Sequence, residues 1–271
     1  MIIKIGSWSA KEGLLMNVIF KEIRHGDIGK IRERIKKNPA IVNEVYTGTK
    51  PKKDIGQSPL QVAVKCGQFE IIDLLLDYGA DPDFMENRAE QPADTENYYF
   101  MPMSVLHDAL NGVFCSLPYG EFERAEKYIK LVETLLEKGA DPNKATGLHP
   151  LLGTASLPLH TAVTKAYEVI SQFAGSTYEL NIKKYETAKR YLFQVLDLLT
   201  KYGADFDDWA DSQTWSGETC RVAFINDFIP KEDKPYRIKY HGRNITGVSK
   251  GDVDQNKEIR MVIQQFIKLK L

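Results

Sequence analysis

The chain has 271 residues, is 43% hydrophobic, and carries 36 Lys and Arg against 37 Asp and Glu, for a formal net charge of -1. That length allows one or two domains with a sizeable core. The even charge balance argues against a bulk polyanion binder, which needs clustered basic residues. Cys66, Cys115 and Cys220 are far apart and form no CxxC pair, so neither a zinc site nor a redox dithiol is indicated. Reduced thiols in a cytoplasmic protein are expected. The apolar stretch 14–20 is broken by Asn17 and followed by charges, unlike a secretion signal. No run approaches the ~18 apolar residues of a membrane span.

In chain order, residues 15–43 read as two helices separated by Gly26-Asp27, with Asn38-Pro39 after the second. Ser58-Pro59-Leu60-Gln61-Val62-Ala63 then opens a new helix, and the phrase returns as Ser104-Val105-Leu106-His107-Asp108-Ala109 and Leu157-Pro158-Leu159-His160-Thr161-Ala162. A hydroxyl can cap the helix start, proline suits the first helical position, and alanine permits close approach of a neighbour. Leucine-rich amphipathic segments follow at Ile71–Leu76, Leu131–Leu136 and Val195–Leu199, with apolar residues at i, i+3 and i+4. Each ends in Gly-Ala-Asp, at Gly79, Gly139 and Gly203. Glycine supplies the left-handed residue that ends a helix, and the Asp-Pro that follows in the first two copies turns the chain away.

These two phrases in register resemble the ankyrin repeat, a helical hairpin of about 33 residues with the signature Thr-Pro-Leu-His-x-Ala. Gly56–Asp83 resembles one repeat from end to end. The resemblance implies an all-α solenoid of helical hairpins with short β-hairpin fingers. It divides the single domain 1–271 into an N-terminal capping repeat at 1–55 and a repeat at 56–98. Repeats with insertions follow at 99–153 and 154–213, and 214–271 is a degenerate last repeat carrying an inserted β-hairpin around Gly242-Arg243-Asn244. The Gly-Ala-Asp copies lie 60 and 64 residues apart, so the later repeats are stretched. From the opening phrase to the glycine the first repeat spans 21 residues, the second 35 and the third 46. The extra residues fall between paired helices and read as helix extensions, with turns at Ser116–Gly120 and Gly175-Ser176.

No GxGxxG, P-loop or HExxH motif is present, and no enzyme, cofactor or metal site is expected. The resemblance implies that His107 and His160 hydrogen-bond backbone to tie neighbouring turns together. It also implies a protein partner, bound by a monomeric chain through finger tips and inner helices, with inhibition, tethering or adaptor activity as the outcome. Asp54, Ile55 and Gln57 then fall on one finger, and Tyr98, Tyr99, Phe100, Met101 and Met103 on the next. Trp209 and Trp215 fall on the finger before the last repeat, and Lys65, Asn111 and Lys165 along the inner helices.

Aromatic residues and methionine are favoured at interface cores, so Tyr98–Met101 is the best partner-binding segment; burial by a folded-back insertion is the competing reading. Trp209 and Trp215 favour burial beneath the C-terminal insertion. Lys234, Arg237, Lys239 and Arg243 form a basic patch that could meet an acidic partner or nucleic acid, although lysines guarding an exposed strand edge are the simpler reading. A small-molecule or nucleotide ligand held by the insertions is the alternative function.

Overall fold

The computed structural model describes residues 10–48, 54–87, 102–147 and 155–204, together with two short strands at 238–240 and 243–245. Among the described residues, eight α-helices form four consecutive hairpins. Helices α1 (Ala10–His25) and α2 (Ile28–Lys37) come first, followed by a 3-10 turn at Pro39–Asn43. Then come α3 (Pro59–Cys66) with α4 (Phe69–Asp77), α5 (Val105–Cys115) with α6 (Phe122–Glu137), and α7 (Pro158–Phe173) with α8 (Glu179–Lys201). The all-α class and the helical-hairpin stack expected from the sequence are observed.

The first helices of the hairpins form one layer, α1 on α3, α3 on α5 and α5 on α7, while α2 packs on α4 and α6 on α8 in a second layer. One continuous core runs between the layers, from Ile19, Phe20 and Ile23 through Leu60, Leu75, Val113 and Leu135 to Val163, Leu192 and Leu199. No hairpin could bury its apolar face alone, which is why stacking stabilises the whole. Ala63, Ala109 and Ala162, the small residues of the recurring phrase, are all fully buried.

Helix starts follow local chemistry. Ser58 accepts a hydrogen bond from the Gln61 amide at 3.2 Å and Ser104 from the His107 amide at 3.4 Å. Leu157 offers no such cap, and Pro158 alone marks the start of α7. The added residues of the later repeats do lengthen helices: α5 and α6 have 11 and 16 residues against 8 and 9 in α3 and α4, and α7 and α8 reach 16 and 23.

The Gly-Ala-Asp turns are stitched to one another by the third residue after the glycine's alanine, and Asn43 of the Pro39–Asn43 turn joins the first hairpin to them in the same way. Asn43 donates to the Gly79 carbonyl at 2.8 Å and accepts from the Asp81 amide at 2.8 Å. Asp83 accepts from the Asp141 amide at 3.0 Å, and Asn143 donates to the Gly203 carbonyl at 2.9 Å. Within each turn Asp81 and Asp141 accept from the amide two residues on, an Asx turn. The repeated acids therefore serve the turns.

The fingers differ from expectation. Among the described residues they form hydrogen-bonded bases and not strands. Tyr46 pairs with Gln57 and Gly56, Glu86 with Met103, and Thr146 with Ser156, while Asn87 to Gly56 and Gly147 to Pro102 join adjacent bases. A single bridge, Met85 with Ser104, is the whole of the ladder there. Each base makes only one or two such bonds, too few for a strand, and the tips lie outside the described residues. Strands β1 (Ile238–Tyr240) and β2 (Arg243–Ile245) pair antiparallel. The placement of this pair inside a last repeat lies outside the described residues.

Candidate functional site

The first helices of the second, third and fourth hairpins, α3, α5 and α7, carry the recurring phrase, and the histidine of the α5 copy shows what the phrase does. His107 is fully buried. Its Nε2 lies 3.0 Å from the Ser156 carbonyl, so that nitrogen carries the proton, and Nδ1 accepts from the Ser104 hydroxyl at 2.7 Å. Burial lowers its pKa to about 4, opposed by the Ser156 carbonyl. A neutral, sealed imidazole that joins α5 to the start of the next repeat is a structural tie.

Beyond the histidine, α3 and α5 turn polar residues toward each other. Gln61 Nε2 donates to Asp108 Oδ2 and to the Met103 carbonyl, both at 2.8 Å. Lys65 Nζ sits 3.5 Å from Asp108 Oδ2 and 3.9 Å from Glu86 Oε2. Gln57 Nε2 donates to Glu86 Oε1 at 3.0 Å, and Asn111 Nδ2 reaches Met103 Sδ at 3.4 Å. Burial raises the Asp108 pKa to about 6 even though Lys65 and Gln61 pull it down, and the Glu86 charge adds to the rise.

This polar cluster opens on a cleft of about 400 Å³ walled by Lys65, Asp108, Asn111, Cys115, Arg124 and Tyr128. A second cleft of about 420 Å³ lies on the other side of Cys115 and Tyr119, against Lys165, Glu168, Val169 and Gln172 of α7. Tyr119, on the α5–α6 connection, stands between the two clefts and is 82% exposed. The floor of the first cleft depends on Gly112, where any Cβ would meet the Tyr128 ring at 2.4 Å. That ring lies edge-on to Phe69, and its hydroxyl donates to the Val64 carbonyl at the end of α3, at 2.8 Å. Although Cys115 reaches the surface, burial of its thiol pushes the pKa up, which disfavours a reactive thiolate.

Lys65, Asn111 and Lys165 therefore fall on one face, along neighbouring first helices. Three other expected contact residues are placed elsewhere. Asp54 is only 1% exposed and paired with Arg24, whose Nε donates to Oδ2 at 2.8 Å. Gln57 is equally buried beneath Glu86, and Ile55 packs against the core. The correction has a physical cause: residues at the finger base are covered by the neighbouring repeat, where a paired carboxylate is satisfied. Met103 is half-buried and engaged by Gln61 and Asn111. Tyr98, Tyr99, Phe100, Met101, Trp209, Trp215, Lys234 and Arg237 lie outside the described residues, and only the backbone of Lys239 and Arg243 is described. The sequence reading missed Cys115, Tyr119, Arg124 and Glu168. An exposed aromatic in the Ser116–Gly120 turn was the available signal for Tyr119.

Among the described residues no helix is long and apolar enough to cross a membrane, and no cluster of His, Cys, Asp or Glu suits a metal ion. No curated protein matches the chain. The family model described as Ankyrin repeat matches residues 55–87, which contain α3, α4 and the finger base up to Asn87. Residues 55–87 thus match an ankyrin repeat, a protein-interaction module, and the serine cap of α5 and the left-handed glycines at 139 and 203 repeat its local chemistry.

Proposed function

We propose that the chain is a monomeric, non-enzymatic, cytoplasmic binding protein that grips another protein, as inhibitor, adaptor or complex subunit. The five units 1–55, 56–98, 99–153, 154–213 and 214–271 act as one solenoid with β-hairpin fingers. The observation that carries this reading is the pair of adjacent clefts divided by exposed Tyr119, with Lys65, Asn111 and Lys165 on their walls. A large exposed aromatic flanked by concave surface is the usual form of an interface anchor. Tyr98–Met101 on the inserted finger would extend the same interface, supported by composition alone.

Two variants of the full chain test the proposal, using capture of partners from the native host. Tyr119→Ala with Lys165→Ala should abolish specific capture while leaving the helical circular dichroism unchanged. Tyr99, Phe100 and Met101 replaced together by Ala should weaken the same capture. Retention of every captured protein by both variants would refute the reading.

A further inference from the structure

The fourth hairpin is longer than the third, and the excess leaves a ledge. Helix α8 has 23 residues against 16 in α6, and both end at a Gly-Ala-Asp turn, where Tyr202 Oη donates to Glu137 at 3.3 Å. The surplus therefore lies at the start of α8, which at about 1.5 Å per residue stands roughly 10 Å beyond the start of α6. Leu180 continues the buried stripe of Lys184, Thr187, Tyr191 and Val195 past the end of its cover, and is 54% exposed. Five large apolar side chains stand exposed among the described residues. Four of them, Tyr119, Tyr178, Leu180 and Ile182, lie on the α5–α6 connection and around the first turn of α8. Such a concentration at one end marks an interaction surface.

Charge specifies the occupant. Lys184 is only 8% exposed. Its Nζ donates to the Pro118 carbonyl at 2.6 Å and lies 4.8 Å from the Phe173 ring. Lys183, exposed beside it, holds its Nζ 4.4 Å from the Phe122 ring. Among the described residues these are the contacts of the two ammonium groups, and neither is ion-paired. The cations around them are paired, Arg124 with Glu121, Lys165 with Glu168 and Lys189 with Glu186. Glu123 and Glu179 sit in the first turns of α6 and α8, where helix ends favour acids, and pair with neither lysine. A ring attracts a cation without cancelling its charge, and a cation taken out of water is costly until it is paired.

We propose that this ledge receives an acidic segment of the partner protein, with one carboxylate set on Lys183 and Lys184 and its apolar neighbours over Leu180. The proposal rests on the reading of this face as a partner-binding surface, because Pro118 and Tyr119 also wall the second cleft, and it names the chemistry of the occupant. A carboxylate offers two acceptor oxygens, and each ammonium has three donors, of which Lys184 gives one to Pro118. An anionic bilayer fits worse, because attraction to acidic lipid takes clusters of about 4–8 basic residues and the ledge has Lys183 and Lys184 alone without an acid partner.

The test selects short random peptides on the intact chain by phage display. The binders are then titrated as free peptides against the parent, Lys183→Gln, Lys184→Met and Leu180→Ser. Selected sequences should carry Asp or Glu flanked by leucine or aromatic residues, and should bind more weakly as salt is raised. Lys183→Gln should weaken binding severalfold and Lys184→Met about tenfold, both with a shallower salt dependence. Leu180→Ser should weaken it with the salt dependence unchanged. Helical circular dichroism checks each variant, and Lys183→Gln, at an exposed position, carries the test if Lys184→Met unfolds. Neutral or basic selected sequences, a selection without binders, or acidic binders indifferent to the lysines would overturn the proposal. So would lysine-dependent binding to phosphatidylserine vesicles with none to peptides.

Capture of the partner separates the two levels. If acidic peptides fail to bind but capture remains sensitive to Tyr119→Ala, the face is a partner surface and the ledge chemistry is wrong. If they bind through the lysines but capture ignores Tyr119 and Lys165, the wider partner surface is wrong and the ledge chemistry stands.

Discussion

Replacing Gly112 with alanine should destabilise the protein, against the sense of helix propensity. In an exposed helix the change gains about 1 kcal/mol. At Gly112 the new Cβ would lie 2.4, 2.5 and 2.6 Å from Cε1, Cζ and Cδ1 of Tyr128. The ring cannot step aside cheaply, because it is 3% exposed, held edge-on at 5.0 Å from Phe69, and tethered by its hydroxyl to Val64 at 2.8 Å. Overpacking costs about 1–3 kcal/mol and the lost hydrogen bond about 1 kcal/mol. After the propensity gain, a net loss of about 2 kcal/mol is expected, or roughly 4–8 °C in Tm for a chain of this size. Urea and thermal unfolding measure it directly. In a Tyr128→Ala background the clash is gone, and Gly112→Ala should then stabilise by about 1 kcal/mol. A Gly112→Ala protein as stable as the parent, or a loss that persists without the Tyr128 ring, would refute the reasoning.

The neighbours His107 and Asp108 should impose opposite pH dependences. His107 titrates near 4 in the fold against 6.5 when free, so its stabilisation is lost as pH falls from about 6.5 toward 4. Asp108 titrates near 6 against 3.8 when free, so stability is lost as pH rises through the same interval. Each effect is about 3 kcal/mol at most and they nearly cancel in the parent. Asp108→Asn should leave stability rising with pH, and His107→Gln should leave it falling; urea midpoints from pH 4 to 7 with the same slope in both variants would contradict this. Asn43→Ala removes the two hydrogen bonds that tie the 3-10 turn at Pro39–Asn43 to the Gly79 turn, and its exposed position sets the loss at about 1 kcal/mol, measured by thermal unfolding. Arg24→Met leaves Asp54 buried beside the core without its cation; a loss of about 3 kcal/mol is expected, partly restored by adding Asp54→Asn.

What the sequence determined by itself was the local grammar of the stack. Serine caps at 58 and 104, the leucine-rich helices, the left-handed glycines at 79, 139 and 203, and the helix extensions were all readable, because each depends on neighbours within about one helical turn. The role of His107 was legible only through family resemblance, since its acceptor, Ser156, lies 49 residues away. Tertiary structure alone decided which polar residues face solvent. Asp54 and Gln57 looked like finger contacts, yet a neighbouring repeat covers them, and burial is set by what stacks on top and not by the chain beside it. The same stacking turned Gln61 and Lys65 of α3 toward Asp108 and Asn111 of α5, and left Tyr119 exposed between two clefts. No periodicity within one helix specifies such a meeting, because it is made by two helices separated by 38 residues of chain. The binding module was thus written locally, whereas the surface proposed to give it a partner was made by packing.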